Sequence, residues 1–244
     1  MRGIYRIADL DIQIESVCDT VHQLCREYRS GGIPCFAVKT TRQDILRERE
    51  WAAREDKKEG REIVSPSDDY LETLAAYRKI AERLPAYDTV LFHGSCVAVD
   101  GAGYLFTAKS GTGKSTHTRL WRELLGSRAV MVNDDKPLIR AAEDGAVVYG
   151  TPWDGKHRLS SNIAVPLRAL CILTRAADNH IEPITAAEAC PMLLQQVYRP
   201  ADPAALAKTL ELIDRLAARV KLYRLGCNME PEAAELSYHT MKEE

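Results

Sequence analysis

The sequence has no run approaching the roughly 20 apolar residues of a membrane-spanning helix, so no membrane association is expected. It has no C-x-x-C pair either. Its seven cysteines, at 18, 25, 35, 96, 171, 190 and 227, are odd in number and widely spaced. That favours reduced thiols over a disulfide framework or a zinc site. Met1 leads into charged, strand-like residues instead of an apolar leader, and the expected location is the cytoplasm. There is no excess of one charge. A formal net charge of −2 removes the bulk electrostatic case for nucleic acid or an anionic membrane surface. Internal repeats and low-complexity tracts are missing. What remains is 45% hydrophobic and 28% charged over 244 residues, enough for one domain or two small ones with a substantial core.

The first third carries no chemical motif. Residues 3–15 alternate apolar and polar and read as a strand or hairpin. Residues 17–28 read as a helix on the spacing of Val17, Val21, Leu24 and Tyr28, with His22 at its surface or half-buried. Gly31 and Gly32 stop it, and residues 34–40 read as a further strand. Residues 42–61 are dense in alternating acids and bases, the pattern of a solvated helix face or of a partner patch. Trp51 is expected to dock that helix on a core. A helix start at Ser65-Pro66-Ser67-Asp68 opens an apolar stripe through Leu71, Leu74, Tyr77, Ala81 and Leu84, which Pro85 ends. A boundary is placed near residue 87. Residues 1–87 form a small α/β module whose role is open between docking, substrate choice and oligomerisation, a homo-oligomer included.

The chemistry begins with Phe106 to Thr116, FTAKSGTGKST. A short strand meets a Gly-rich turn, then a lysine and hydroxyls at the start of a helix. Gly111 and Gly113 let the backbone curl with its N–H groups inward, and the helix N-terminus adds its own unpaired donors. Ser110, Thr112 and Thr116 complete the rim. Lys114 supplies a point charge for distal phosphates and Ser115 a hydroxyl for magnesium. Ala108 stands where the strict pattern has its first glycine. A Gly-rich turn with no ligand is the alternative.

Two or three strands precede this cradle over residues 89–108, with a hairpin at Asp100-Gly101. A helix follows to about Leu125. The buried strand Ala129-Val130-Met131-Val132 then delivers Asn133-Asp134-Asp135. A hairpin over residues 137–150, strands at 167–174 and 180–184, a capped helix from Thr185, a second from Asp202-Pro203, a strand at 221–225 and a helix from Pro231 complete residues 88–244. Adjacent acids at a strand end point in different directions, so one can hold a metal and the other accept a proton. The alternative is a turn-forming acid pair. The loop 151–161 offers Trp153, Lys156 and Arg158, either as a lid that neutralises phosphate charge or as a plain loop with a Trp anchor. Arg175, at a strand end, is either a candidate for an acceptor anion or one of the many strand-end arginines without a function, and His117 either neighbours the nucleotide or packs.

The segment from His93 to Asp135 resembles the catalytic domain of HPr kinase/phosphorylase, itself similar to the nucleotide-binding half of ATP-dependent phosphoenolpyruvate carboxykinase. The features that carry the resemblance are His93-Gly94, the SGTGKST cradle and the Asp-Asp of MVNDD. It is close over residues 93–135 and loose over 88–200, and Thr116 stands where that family has a glutamate. The resemblance implies that Asp134 is the general base for an acceptor hydroxyl. It also implies that Asp135 and Ser115 hold the metal, that Lys114 binds the β- and γ-phosphates, and that His93 lies beside acceptor and base. The expected fold is an α/β P-loop domain of the HPr-kinase/carboxykinase type, with a curved mixed sheet around the cradle helix. The expected activity is a kinase using ATP and Mg²⁺ on a hydroxyl of a protein, peptide or small metabolite. Carboxykinase-like transfer to an organic acid and a nucleotide-gated regulator that barely turns over are the alternatives.

Overall fold

A computed structural model describes residues 1–58, 60, 62, 66–155 and 157–243. The chain forms two compact units, Met1–Arg83 and Leu84–Glu244. Among the described residues no helix is long and apolar enough to cross a membrane.

The first unit opens with a hairpin of β1 (Arg2–Ile7) and β2 (Leu10–Glu15). Its turn residues, Ala8 and Asp9, have φ of 50° and 57°, the geometry that matches the twist of paired strands. β3 (Phe36–Lys39) adds to β2 in parallel. Between them, α1 covers only Thr20–Leu24, with a 3₁₀ turn at Arg26–Tyr28, where the spacing predicts a helix from 17. Tertiary bonds win over the local pattern here. The N–H groups of Val17 and Cys18 donate to the buried Glu72 carboxylate at 2.6 and 2.7 Å. His22 is likewise not at the surface but buried. Its Nδ1 lies 2.6 Å from the Tyr5 hydroxyl and its Nε2 2.9 Å from Ser16 Oγ.

Helix α2 (Arg42–Lys58) is followed by α3 (Asp68–Ala81), whose N-cap is Ser67. Ser65 of the expected helix start lies outside the described residues. Trp51 does not dock α2 on the core. It is half-exposed, with the Arg78 guanidinium 4.7 Å from its ring. Ile45 and Glu48 are the buried residues of that face, and Glu48 forms a forked pair with Arg78 at 2.5 and 3.0 Å.

The second unit is a mixed α/β fold built on one nine-stranded sheet that curls into a half-barrel. β4 (Thr89–Leu91), β8 (Leu138–Ala141) and β9 (Ala146–Tyr149) are antiparallel neighbours. β9 joins the first three residues of β10 (Ala164–Arg175). Beyond a register shift at Arg168, β10 runs parallel to both β6 (Ala102–Thr107) and β12 (Lys221–Cys227). β5 (Ser95–Val99) joins β6 through the Asp100-Gly101 turn and then pairs with β7 (Ala129–Asn133). β11 (His180–Pro183) borders β12.

Strand side chains alternate between the two faces, and both faces are buried. Leu105, Leu170, Ile172 and Leu222 point to the face covered by α5 (Ala186–Gln196) and α6 (Pro203–Arg219). Tyr104, Phe106, Ala169 and Cys171 point to the face covered by α4 (Lys114–Leu125) and α7 (Pro231–Lys242). There, fully buried Trp121 of α4 packs against Tyr104 at a tilt and edge-on against Phe106, with ring centres 5.0 and 5.1 Å apart. Truncating such a residue costs about 3–5 kcal/mol, so this cluster fastens the cradle helix to its strand.

Candidate functional site

Strand direction brings the chemistry together. β6, β7, β10 and β12 are mutually parallel, because β5 is antiparallel to both β6 and β7. Their carboxyl ends, and the amino end of β5, therefore meet at one edge of the sheet, where open α/β sheets bind ligands. That edge carries the cradle after β6, Asp134-Asp135 after β7, Arg175 at the end of β10 and His93 before β5.

The cradle has the expected backbone. Gly111 and Gly113 have φ of 76° and 119°, a region that side-chain-bearing residues rarely adopt. Gly113 is the N-cap of α4 and no side chain caps the helix, which leaves its first N–H groups available. Ala108 fits where the pattern has glycine, because that position keeps negative φ and its side chain is fully buried against Phe106 and Trp121. Its carbonyl accepts from Lys114 Nζ at 3.3 Å. Burial lowers the Lys114 pKa, against the pull of Asp135 and Asp134. Ser110 and Ser115 are exposed, and Thr112 and Thr116 half-buried.

Asp134 is buried, and its Oδ1 accepts a 2.6 Å bond from Ser95 Oγ, which in turn meets Thr118 Oγ1 at 2.9 Å. A Cβ on Gly155 would stand 3.0 Å from Asp134 Oδ2, so the 151–161 loop passes over this carboxylate closely. Asp135, half-exposed, faces His93 Nε2 at 3.5 Å and Lys136 Nζ at 3.1 Å. His93 Nδ1 donates to Gln196 Oε1 at 2.8 Å. Burial, with Lys114 and Lys136 nearby, lowers the His93 pKa despite Asp135 and Gln196. At neutral pH its Nε2 is therefore an unprotonated acceptor.

Sequence reasoning missed three residues that build this arrangement: Ser95, Asn133 and Gln196. Asn133 is fully buried. Its Oδ1 accepts from the N–H groups of Asp135 and Lys136 at 2.9 and 2.7 Å, and its Nδ2 donates to Thr151 Oγ1 and the Trp153 carbonyl at 3.0 and 3.2 Å. The first pair is an Asx turn, which the Asn-Asp-Asp order signals. Nothing local signals Gln196, which lies far along the chain from His93.

Trp153 is buried, 4% exposed, while Arg158 is exposed with φ of 48°. Lys156 lies outside the described residues. Asp154 is half-buried and burial raises its pKa, against the bonds from Ser160. Arg175 is on the other side of the cradle from the acid pair and donates to the Gly111 carbonyl at 2.5 Å. His117 is buried. Its Nε2 meets Ser237 Oγ at 3.0 Å, and burial pushes its pKa down to about 4. All seven cysteines are free thiols.

No curated protein matches this chain. Among solved structures, the HPr(Ser) kinase/phosphatase from Coxiella burnetii aligns with 63% of this chain and 99% of its own, at 8% identity and a TM-score of 0.34. A likeness of that size bears on neither fold nor chemistry. The family model described as SynChlorMet cassette protein ScmC matches residues 65–232, more than half of the chain, and the chain belongs to that family.

Proposed function

We propose that the protein is an HPr-kinase-like phosphotransferase that moves the γ-phosphoryl group of ATP to a hydroxyl acceptor on a protein, peptide or small molecule. The observation that carries this reading is the meeting, at one sheet edge, of an uncapped helix N-terminus with its glycine cradle, a partly buried lysine and two carboxylates of different environment. Phosphoryl transfer needs positioning and charge neutralisation more than covalent help, and these groups supply both.

Cradle N–H groups and Lys114 hold the phosphates. Asp134, kept in place by Ser95, takes the proton from the acceptor hydroxyl, and neutral His93 accepts a hydrogen bond beside it. Arg158 brings positive charge from the loop above. Mg²⁺ fits the donors present. Mg²⁺ characteristically uses one or two protein oxygens plus phosphate. Ser115 and Asp135 would be those oxygens here. When bound, the ion neutralises charge on the β- and γ-phosphates.

The test is single-turnover transfer from labelled ATP to a serine peptide and to small hydroxylated acceptors. Asp134→Asn is expected to lower the rate about 10²–10⁴-fold, the usual share of a general base. Undiminished transfer would remove the base assignment. ATP binding with no transfer to any acceptor would favour a nucleotide-gated regulator, and transfer to organic acids alone a carboxykinase-like enzyme.

A further inference from the structure

The acid pair and His93 occupy only one side of the cradle. On the other side lies a cavity of about 450 Å³, in the size range of small-molecule pockets. It is walled by the first turns of α4 and by the ends of β10 and β12, with the cradle glycines at its rim. In the sheet order β12-β10-β6-β5-β7, the cavity and Asp134-Asp135 therefore flank β6 on opposite sides.

Its apolar lining includes Leu120, Leu173, Ala176 and Met229, the last 75% exposed at the mouth. The two segments that form its far wall are already tied together. Ala176 N–H donates to the Cys227 carbonyl at 3.0 Å, Asn228 N–H to Asn179 Oδ1 at 2.9 Å, and Asn228 Nδ2 to the Ala177 carbonyl at 3.1 Å. A wall held this way needs little ordering on binding. Arg175 lines the cavity and reaches the Gly111 carbonyl, so one guanidinium spans cavity and cradle. His117, also lining it, is 3% exposed, and its Nδ1 has no hydrogen-bond partner among the described residues.

We propose that this cavity receives the nucleoside part of the nucleotide whose phosphates lie in the cradle. The base lies among Leu120, Leu173 and Met229, and Arg175 faces the phosphate nearest the sugar. The nucleotide then runs across the cradle from β12 towards β7, which puts its terminal phosphate at the acid pair. This rests on the reading of the cradle as a nucleotide site, and the test separates the two.

Calorimetric titration of the full chain with Mg·ATP and with Mg·tripolyphosphate compares ligands that share phosphates and differ in the nucleoside. Wild type is expected to bind ATP about tenfold or more tighter than tripolyphosphate. Ala176→Phe, which fills the cavity, should lower ATP affinity by about tenfold and leave tripolyphosphate within about twofold. Met229→Ala, at an exposed position that does not threaten folding, should act in the same direction more weakly. Photolabelling with 8-azido-ATP should mark residues 173–176 or 227–229. Unchanged ATP affinity in both variants, or label confined elsewhere, overturns the nucleoside assignment while leaving the cradle reading intact. Failure of wild type to bind either ligand overturns the cradle reading, and this proposal with it.

Discussion

Each unit buries a carboxylate, and the two are treated in opposite ways. Glu72 in the first unit is fully buried and saturated. It accepts from the N–H groups of Val17 and Cys18 and from the Thr40 hydroxyl. Burial pushes its pKa up, but the bonds from Thr40, Val17 and Cys18 together outweigh that and leave it lowered. Asp11 in the same unit is similar, with Arg6 and Ser30 donating to both oxygens. Asp134 in the second unit has one donor side chain among the described residues, Ser95. Its neighbour Asp135 is half-exposed between a histidine and a lysine. A carboxylate whose lone pairs are all used holds a fold together. One with capacity left can take a proton or share a cation.

The largest effect expected from breaking this contrast is on transfer. Asp134→Asn should lower it by the equivalent of about 3–5 kcal/mol of barrier. Its urea midpoint should stay near wild type. Glu72→Ala should do the reverse in kind, destabilising the first unit by about 4 kcal/mol because three buried donors lose their acceptor. Chemical denaturation followed by far-UV circular dichroism measures it, and a loss under about 1 kcal/mol would mean that Glu72 is not the anchor described.

His117 extends the contrast to a base. Its folded pKa is about 4, against an ordinary 6.5, so the unfolded chain takes up a proton first as the pH falls. Stability present above pH 6.5 should therefore be lost as the pH falls towards 4, by about 3 kcal/mol in all. His117→Phe should flatten that acid limb in melts recorded from pH 7 to 4. If wild type and variant fall in parallel, His117 is not the group responsible. Gly155→Ala sharpens the comparison from outside, since the new methyl would crowd Asp134 Oδ2. Transfer should drop about tenfold with ATP affinity unchanged, a modest misplacement effect. Trp51→Ala is the smallest. Removing a half-exposed ring from under Arg78 should cost about 0.5–1 kcal/mol, read as a small shift in the urea midpoint of the first unit.

The cradle was legible in the sequence because its information is local. Two glycines that need positive φ, a lysine and a hydroxyl stand within a few residues of one another, as does the Asp100-Gly101 turn before them. The capping box at Thr185 and Glu188 is local as well. The apolar runs of β6 and β10 were readable for the same reason. What escaped was set by distant partners. Val17 and Cys18 carry a helical pattern, yet a glutamate some 55 positions away takes their N–H groups. His22 reads as a surface or half-buried residue until Tyr5 and Ser16 close on it. Trp51 reads as a core anchor, but the face of α2 that packs belongs to Ile45 and Glu48. Gln196, which sets the His93 tautomer, lies 103 residues from it.

The shared strand β10 has a consequence for how the chain reaches this state. β6 finds β5 through a two-residue turn, a contact that closes quickly. Its other neighbour is β10, where Thr107 pairs with Ile172, and β10 in turn waits for β12. Parallel partners so far apart must close long loops before any hydrogen bond rewards them, and such pairings are slow. During synthesis the cradle motif therefore emerges well before the sheet that aims it. The edge that carries the cradle is complete only when β12 has paired with β10, so a chain that stops short of β12 carries the motif without the geometry.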